Sequence, residues 1–103
     1  KHLFSLLLAA TSLVGCQSNT EFKSVDAQQF AEVIANKDVQ LVDARTPEEF
    51  SEGHIPGAVN IDVKSADFDA QIATLNPARP VAVYCRSGRR SKLAAERMTN
   101  AGL

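Results

Sequence analysis

Residues 81–90, which read VAVYCRSGRR, decide the fold of this chain. Residues 81–84 are continuously apolar and β-favouring, as expected of a strand that is buried on both faces of a sheet. A polar loop rich in arginine follows, and after it a helical pattern runs to residue 102. A buried strand that leads through a short loop into a helix is the unit of parallel α/β sheets, whose functional crevice lies beyond the carboxyl ends of the strands. Cys85 is the first residue of that loop.

The same alternation of strands and helices extends towards the N-terminus. Capping-box patterns at 26–29 and 46–49 predict two helices. Short apolar runs at 39–44 and 58–61 predict strands, and the apolar spacing at 68–75 predicts a further helix. The sequence therefore predicts a three-layer α/β domain with a mainly parallel central sheet flanked by helices.

Composition and charge fit a single globular domain. The chain has 103 residues, of which 45% are hydrophobic and 22% are charged. The formal net charge is −1. This balance gives no reason to expect a nucleic acid or an anionic membrane surface as a partner.

The first residues have the pattern of a secretory signal peptide. Lys1 and His2 precede an apolar run at 3–14, which is too short to span a bilayer comfortably. The ending Leu13-Val14-Gly15-Cys16 resembles the bacterial lipoprotein signal. A buried N-terminal helix is the alternative.

The lipoprotein resemblance implies that residues 1–15 are removed and that Cys16 is lipidated. Residues 16–21 then tether a domain of residues 22–103 to a membrane of the bacterial cell envelope, facing the periplasm. Gln17, which follows the lipidated cysteine, slightly favours the outer membrane.

Cys85 is then the only thiol of the mature chain, which is unusual in an oxidising envelope. A reactive thiolate needs surroundings that favour negative charge, and the loop offers arginine cations, the start of a helix, and small residues that let the backbone curl. These residues are Arg86, Ser87, Gly88, Arg89 and Arg90. The alternative is a small buried side chain followed by a solvated helix start. We expect no metal site, because two histidines and one mature cysteine cannot supply a tetrahedral set.

This loop resembles the active-site loop of rhodaneses, and two further stretches agree with it. They are LVDAR at 41–45, which leads to Glu49-Phe50, and GHIPGAVNI at 53–61. Together the three stretches place the resemblance over roughly residues 22–103. It implies the rhodanese fold and a double displacement without a cofactor. In that reaction Cys85 takes sulfane sulfur from a small anionic donor such as thiosulfate, holds it as a persulfide, and passes it to a thiol or cyanide-like acceptor.

Carried over by position, the resemblance implies that the backbone amides of residues 86–90 cradle the sulfur and the bound anion. Arg86 and Arg90 are the stronger candidates for side-chain assistance, and Arg89 is a weaker one. The other family residues are expected to be architectural: Asp43, Arg45 and His54. Of these, His54 is expected to hold a turn by hydrogen bonding.

Two other functions stay open. Rhodanese relatives among cell-cycle phosphatases and arsenate reductases also use a loop that runs from a cysteine to an arginine, with one more residue in between. Here four residues separate Cys85 from Arg90, which favours the smaller sulfur cradle. The second alternative is a non-catalytic rhodanese-like binding module.

Rhodanese domains also continue past the helix that follows the loop, into another strand and a closing helix. The resemblance therefore implies a domain truncated at the C-terminus, with exposed apolar surface and an unpaired sheet edge.

Overall fold

The computed structural model describes residues 6–9 and 22–103 of the chain. Every strand pair within them is parallel, and the strand order is β2-β1-β5-β3-β4. The predicted α/β fold with a parallel sheet is therefore confirmed. The elements are β1 (Leu6–Ala9), β2 (Phe22–Val25), α1 (Ala27–Ile34), β3 (Gln40–Asp43), α2 (Pro47–Glu52), β4 (Val59–Asn60), α3 (Phe68–Ile72), β5 (Val81–Tyr84) and α4 (Arg89–Asn100).

Strand β5 lies in the middle of this sheet. It pairs with β1 on one side and with β3 on the other. Val81, Ala82 and Val83 are fully buried, as the continuous apolar run predicts. The loop that contains Cys85 therefore starts at the carboxyl end of the central strand.

The core occupies both faces of the sheet. Val81 and Val83 face a cluster that includes Phe68 of α3 and Met98 of α4. Ala82, which points to the opposite face, packs in a second cluster with Phe30 of α1. Helices thus cover the two faces, which confirms the three layers.

The capping boxes predicted for α1 and α2 are both present. At the start of α2, the backbone N–H of Glu49 donates to Thr46 Oγ1 at 3.2 Å, and the N–H of Thr46 donates to Glu49 Oε1 at 3.0 Å. Such a cap contributes about 1 kcal/mol to helix stability. The side chain of Glu49 is therefore held in place from within its own helix.

The sheet extends beyond the predicted start of the domain at residue 22. Leu6–Ala9, within the predicted signal peptide, forms β1 between β2 and β5 rather than part of a buried helix. An extended apolar segment at this place satisfies backbone N–H and C=O groups of both neighbouring strands, which explains the pairing. The rest of the predicted signal peptide and tether, including Cys16, lies outside the described residues. Cleavage after Gly15 stays a prediction.

No helix among the residues that the structure describes combines the length and the hydropathy needed to cross a membrane.

Helix α4 turns one face to the core and the other to solvent. Its buried residues are Ser91, Ala94, Ala95 and Met98. Leu93, although apolar, is 47% exposed.

We expect Met98→Ala to lower the free energy of unfolding by about 2–5 kcal/mol, because it removes a fully buried side chain and leaves a cavity. The matched change Leu93→Ala on the same helix should stay within about 0.5 kcal/mol of the wild type. Urea unfolding followed by far-UV circular dichroism measures both. Equal losses for the two variants would show that α4 packs through a different face.

Candidate active site

The sulfur of Cys85 lies inside the loop that joins β5 to α4 and is partly buried. The backbone N–H groups of Gly88 and Ser91 donate to Sγ at 3.0 Å and 3.3 Å. The hydroxyl oxygen of Ser91 is also 3.3 Å from Sγ. The sequence analysis placed the cradle at residues 86–90 and missed Ser91. The available signal was its place in the first turn of α4, where the helix leaves backbone N–H groups without an internal partner.

Gly88 explains how the loop closes around the sulfur. It is the N-cap residue of α4, and its φ of 94° lies in the left-handed region that glycine adopts without steric cost. This conformation turns the chain into the helix so that the amides of the first turn face Sγ. The predicted role of Gly88 in curling the backbone agrees with this geometry.

Two opposing effects act on the pKa of Cys85. Burial raises it, but the hydrogen bond with the Ser91 side chain and those from the backbone N–H groups of Ser91, Gly88 and Ser87 outweigh burial, so that the pKa is lowered. The sequence analysis also expected the arginine cations to lower the pKa of Cys85. They contribute less to the lowering than these hydrogen bonds do. The thiolate is therefore favoured chiefly by hydrogen bonding.

The loop arginines differ in what they contact. Arg90 forms a two-pronged ion pair with Glu49, from Nη1 to Oε1 at 2.7 Å and from Nη2 to Oε2 at 3.1 Å. Arg86 is 73% exposed and approaches Glu49 Oε2 at 3.5 Å. Arg89 is exposed and has no ion pair within 22–103. Sequence reasoning treated Glu49 as a capping residue and gave no signal of its second contact.

Asp43 and Arg45 join the carboxyl ends of β3 and β5 to the segment after α2. Asp43 is fully buried and pairs with Arg45 at 2.7 Å, and Arg45 Nη2 donates to the carbonyl oxygen of Gly53 at 2.6 Å. The hydroxyl of Tyr84 accepts from the N–H of Ile55 at 3.0 Å. Burial raises the pKa of Asp43, but its bonds to Arg45 and Tyr84 lower it overall. These contacts fit the architectural role expected of the pair.

His54 contacts the end of α2. Its Nδ1 lies 2.8 Å from the carbonyl oxygen of Phe50, so Nδ1 carries the proton and donates it. The imidazole also stacks on the Phe50 ring, with the ring centroids 3.6 Å apart and the planes at 8°. The turn-holding role expected of His54 agrees with these contacts.

The chemistry that this arrangement supports is that of a thiolate among backbone donors. In the part of the chain that the structure describes, no group of three or more His, Cys, Asp or Glu residues could hold a metal ion. Amides aimed at Sγ can also stabilise negative charge on an atom bound to it. The site can therefore provide a nucleophile and a place for an anion.

Comparisons with known proteins place this site in context. The sequence profile of the Rhodanese-like domain matches residues 26–103. The chain is 36% identical over 84 residues to the thiosulfate sulfurtransferase GlpE of Pseudomonas syringae pv. syringae, which covers 81% of this chain and 76% of that protein. It is 33% identical over 79 residues to a sulfurtransferase of Allochromatium vinosum, covering 76% and 72%.

A third relative is an HTH-type transcriptional regulator of Mycobacterium tuberculosis, 35% identical over 89 residues. The match covers 84% of this chain but only 35% of the regulator. No solved structure matches the chain.

We expect Ser91→Ala to raise the pKa of Cys85, because it removes the side-chain hydrogen bond that lowers it. Iodoacetamide reacts with the thiolate, so the alkylation rate rises with pH through the pKa, and at pH 7 the variant should react about tenfold more slowly. Ser87→Ala is the matched control, since Ser87 acts on Cys85 through its backbone only. A pH profile of Ser91→Ala that coincides with the wild type would contradict this role of the hydroxyl.

Proposed function

The chain belongs to the rhodanese-like domain family, and we propose that it acts as a sulfurtransferase with Cys85 as the sulfur carrier. The observation that supports this most directly is the set of donors on Cys85 Sγ, namely the N–H groups of Gly88 and Ser91. They favour the thiolate, so the nucleophile needs no separate general base.

The first step loads the sulfur. The Cys85 thiolate attacks the sulfane sulfur of a donor such as thiosulfate, and a bond from Sγ to that sulfur forms. The sulfur–sulfur bond of the donor breaks, and sulfite leaves with the electron pair. The product is a persulfide whose negative charge sits one atom further out, where the amides of residues 86–90 are the candidate donors.

The second step unloads it. A thiolate or cyanide attacks the terminal sulfur, and the bond to Sγ breaks with its electron pair returning to Cys85. A thiol of lowered pKa is a better leaving group in such exchanges. The same hydrogen bonds therefore assist both steps, and the enzyme returns to its thiolate without an added proton.

The engagement of Arg90 supports sulfur transfer over phosphate or arsenate chemistry. An arginine that clamps a tetrahedral oxyanion presents two neighbouring N–H groups to it, whereas here one N–H group on each of Arg90 Nη1 and Nη2 already binds Glu49. The names of the relatives, which include thiosulfate sulfurtransferases, support the same choice.

We propose in addition that residues 1–15 are a signal peptide and that Cys16 carries a lipid, which would anchor the domain in the bacterial envelope facing the periplasm. The support is the sequence pattern that ends in Gly15-Cys16. Removing residues 1–15 would also remove β1, so the sheet of the processed protein would differ from that of the uncleaved chain.

Incubation of the reduced protein with thiosulfate should add the mass of one sulfur atom to Cys85, and cyanide should then remove it as thiocyanate. Intact mass spectrometry measures the gain, and Cys85→Ser should show none. An aryl phosphate offered to the same protein should not be hydrolysed. If Cys85 stays alkylatable but never gains sulfur, the binding-module alternative is favoured.

The lipid anchor is tested by expression in a bacterium supplied with labelled palmitate. We expect the label in the wild type and in Cys85→Ser, but not in Cys16→Ser, because only Cys16 follows the lipoprotein signal. Label that persists in Cys16→Ser would refute the anchor.

A further inference from the structure

A carboxylate faces the arginines of the sulfur loop. Both oxygens of Glu49 bind the guanidinium of Arg90, and the two side chains are only 20% and 19% exposed. Arg86 contacts the same carboxylate at 3.5 Å. Two of the three loop arginines therefore already have an anion beside them.

This carboxylate is a fixed part of the site. Besides its ion pairs, Glu49 Oε1 accepts from the N–H of Thr46 at 3.0 Å, which ties it to the start of α2. The hydrogen bonds from Arg90 and Thr46 hold the pKa of Glu49 well below its usual range. Its negative charge is therefore present at neutral pH.

The net positive charge near an incoming donor is therefore smaller than three unpaired arginines would give. An anion that took Arg90 for itself would leave the partly buried carboxylate of Glu49 without its shortest ion pair, which is unfavourable. An anion that leaves the pair intact meets Arg89, the exposed Arg86 and the backbone amides, together with the negative charges of Glu49 and the thiolate. Glu49 and the thiolate offset two of the three arginine charges, so a second charge on the donor gains less attraction than three unpaired arginines would give.

We infer that Glu49 sets the charge class of the sulfur donor, so that the site favours singly charged organic thiosulfonates over dianions such as thiosulfate. This inference rests on the proposed function. With such a donor the Cys85 thiolate bonds to the terminal sulfur, the sulfur–sulfur bond of the thiosulfonate breaks, and a sulfinate leaves with the electron pair. Glu49 acts through the arginines and is a positioning residue, not a catalytic one.

The test compares kcat/KM for thiosulfate and for methanethiosulfonate, with cyanide as the acceptor. Glu49→Gln removes the charge but keeps the size and the capping ability of the residue, since glutamine also serves at this position of a capping box. The ratio of thiosulfate to methanethiosulfonate should rise about three- to tenfold, mainly through a lower KM for thiosulfate.

Glu48→Gln is the matched control, because it removes the same charge from the same turn of α2. Glu48 is exposed and has no ion pair in the described part of the chain. Its ratio should equal that of the wild type. Glu49→Asp keeps the charge with a shorter reach, and it should leave the ratio near the wild-type value even where both rates fall.

A ratio that stays constant or falls in Glu49→Gln overturns the inference, since a merely structural role would lower both activities together. If Glu49→Gln does not fold, the wild-type protein still tests the inference. The KM of the wild type should be lower for methanethiosulfonate than for thiosulfate, and the reverse order overturns the inference. If both donors load Cys85 without the expected ratio, sulfur transfer stands and the role of Glu49 fails. If neither donor loads Cys85, the proposed function fails and the inference with it.

Discussion

The hydrogen bonds from the first turn of α4 to the Cys85 sulfur are the interaction on which this site depends. Burial alone would raise the pKa of the thiol, and the hydrogen bonds with the Ser91 side chain and with the N–H groups of Ser91, Gly88 and Ser87 lower it overall. They reach the sulfur because Cys85 follows the carboxyl end of the central strand β5 and because the chain then turns through the left-handed conformation of Gly88. β5, the turn at Gly88 and the start of α4 together fix the position of the Cys85 sulfur.

The surrounding contacts keep that placement rigid. Asp43 and Arg45 bind the end of β3 to Gly53, and Tyr84 binds the end of β5 to Ile55, so the residues before the loop cannot shift independently of their neighbours. A site with prepositioned donors reorganises little when charge moves from Sγ to a second sulfur. The architecture would therefore serve the proposed sulfur transfer without side chains that exchange protons.

Features that depend on local patterns could be predicted from the sequence. The central place of β5 follows from its unbroken apolar run, and the starts of α1 and α2 follow from cap spacing, which involves residues three apart. The position of Cys85 follows from the junction of strand and helix. The pairing of Leu6–Ala9 did not follow, since an apolar run reads equally well as a signal segment and as a strand, and only the unpaired edges of its neighbours decide its place.

Glu49 shows why the electrostatics of the site could not be predicted in the same way. The capping box explains this residue completely at the local level, so nothing in the sequence calls for a second partner. Arg90 lies 41 residues further along the chain and meets it only because α2 and the start of α4 converge at the carboxyl edge of the sheet. A count of arginines near Cys85 therefore overstates the positive potential of the loop. The electrostatic potential that an anion meets depends on the folded structure, in which the carboxylate of Glu49 in α2 offsets part of the positive charge of the loop arginines.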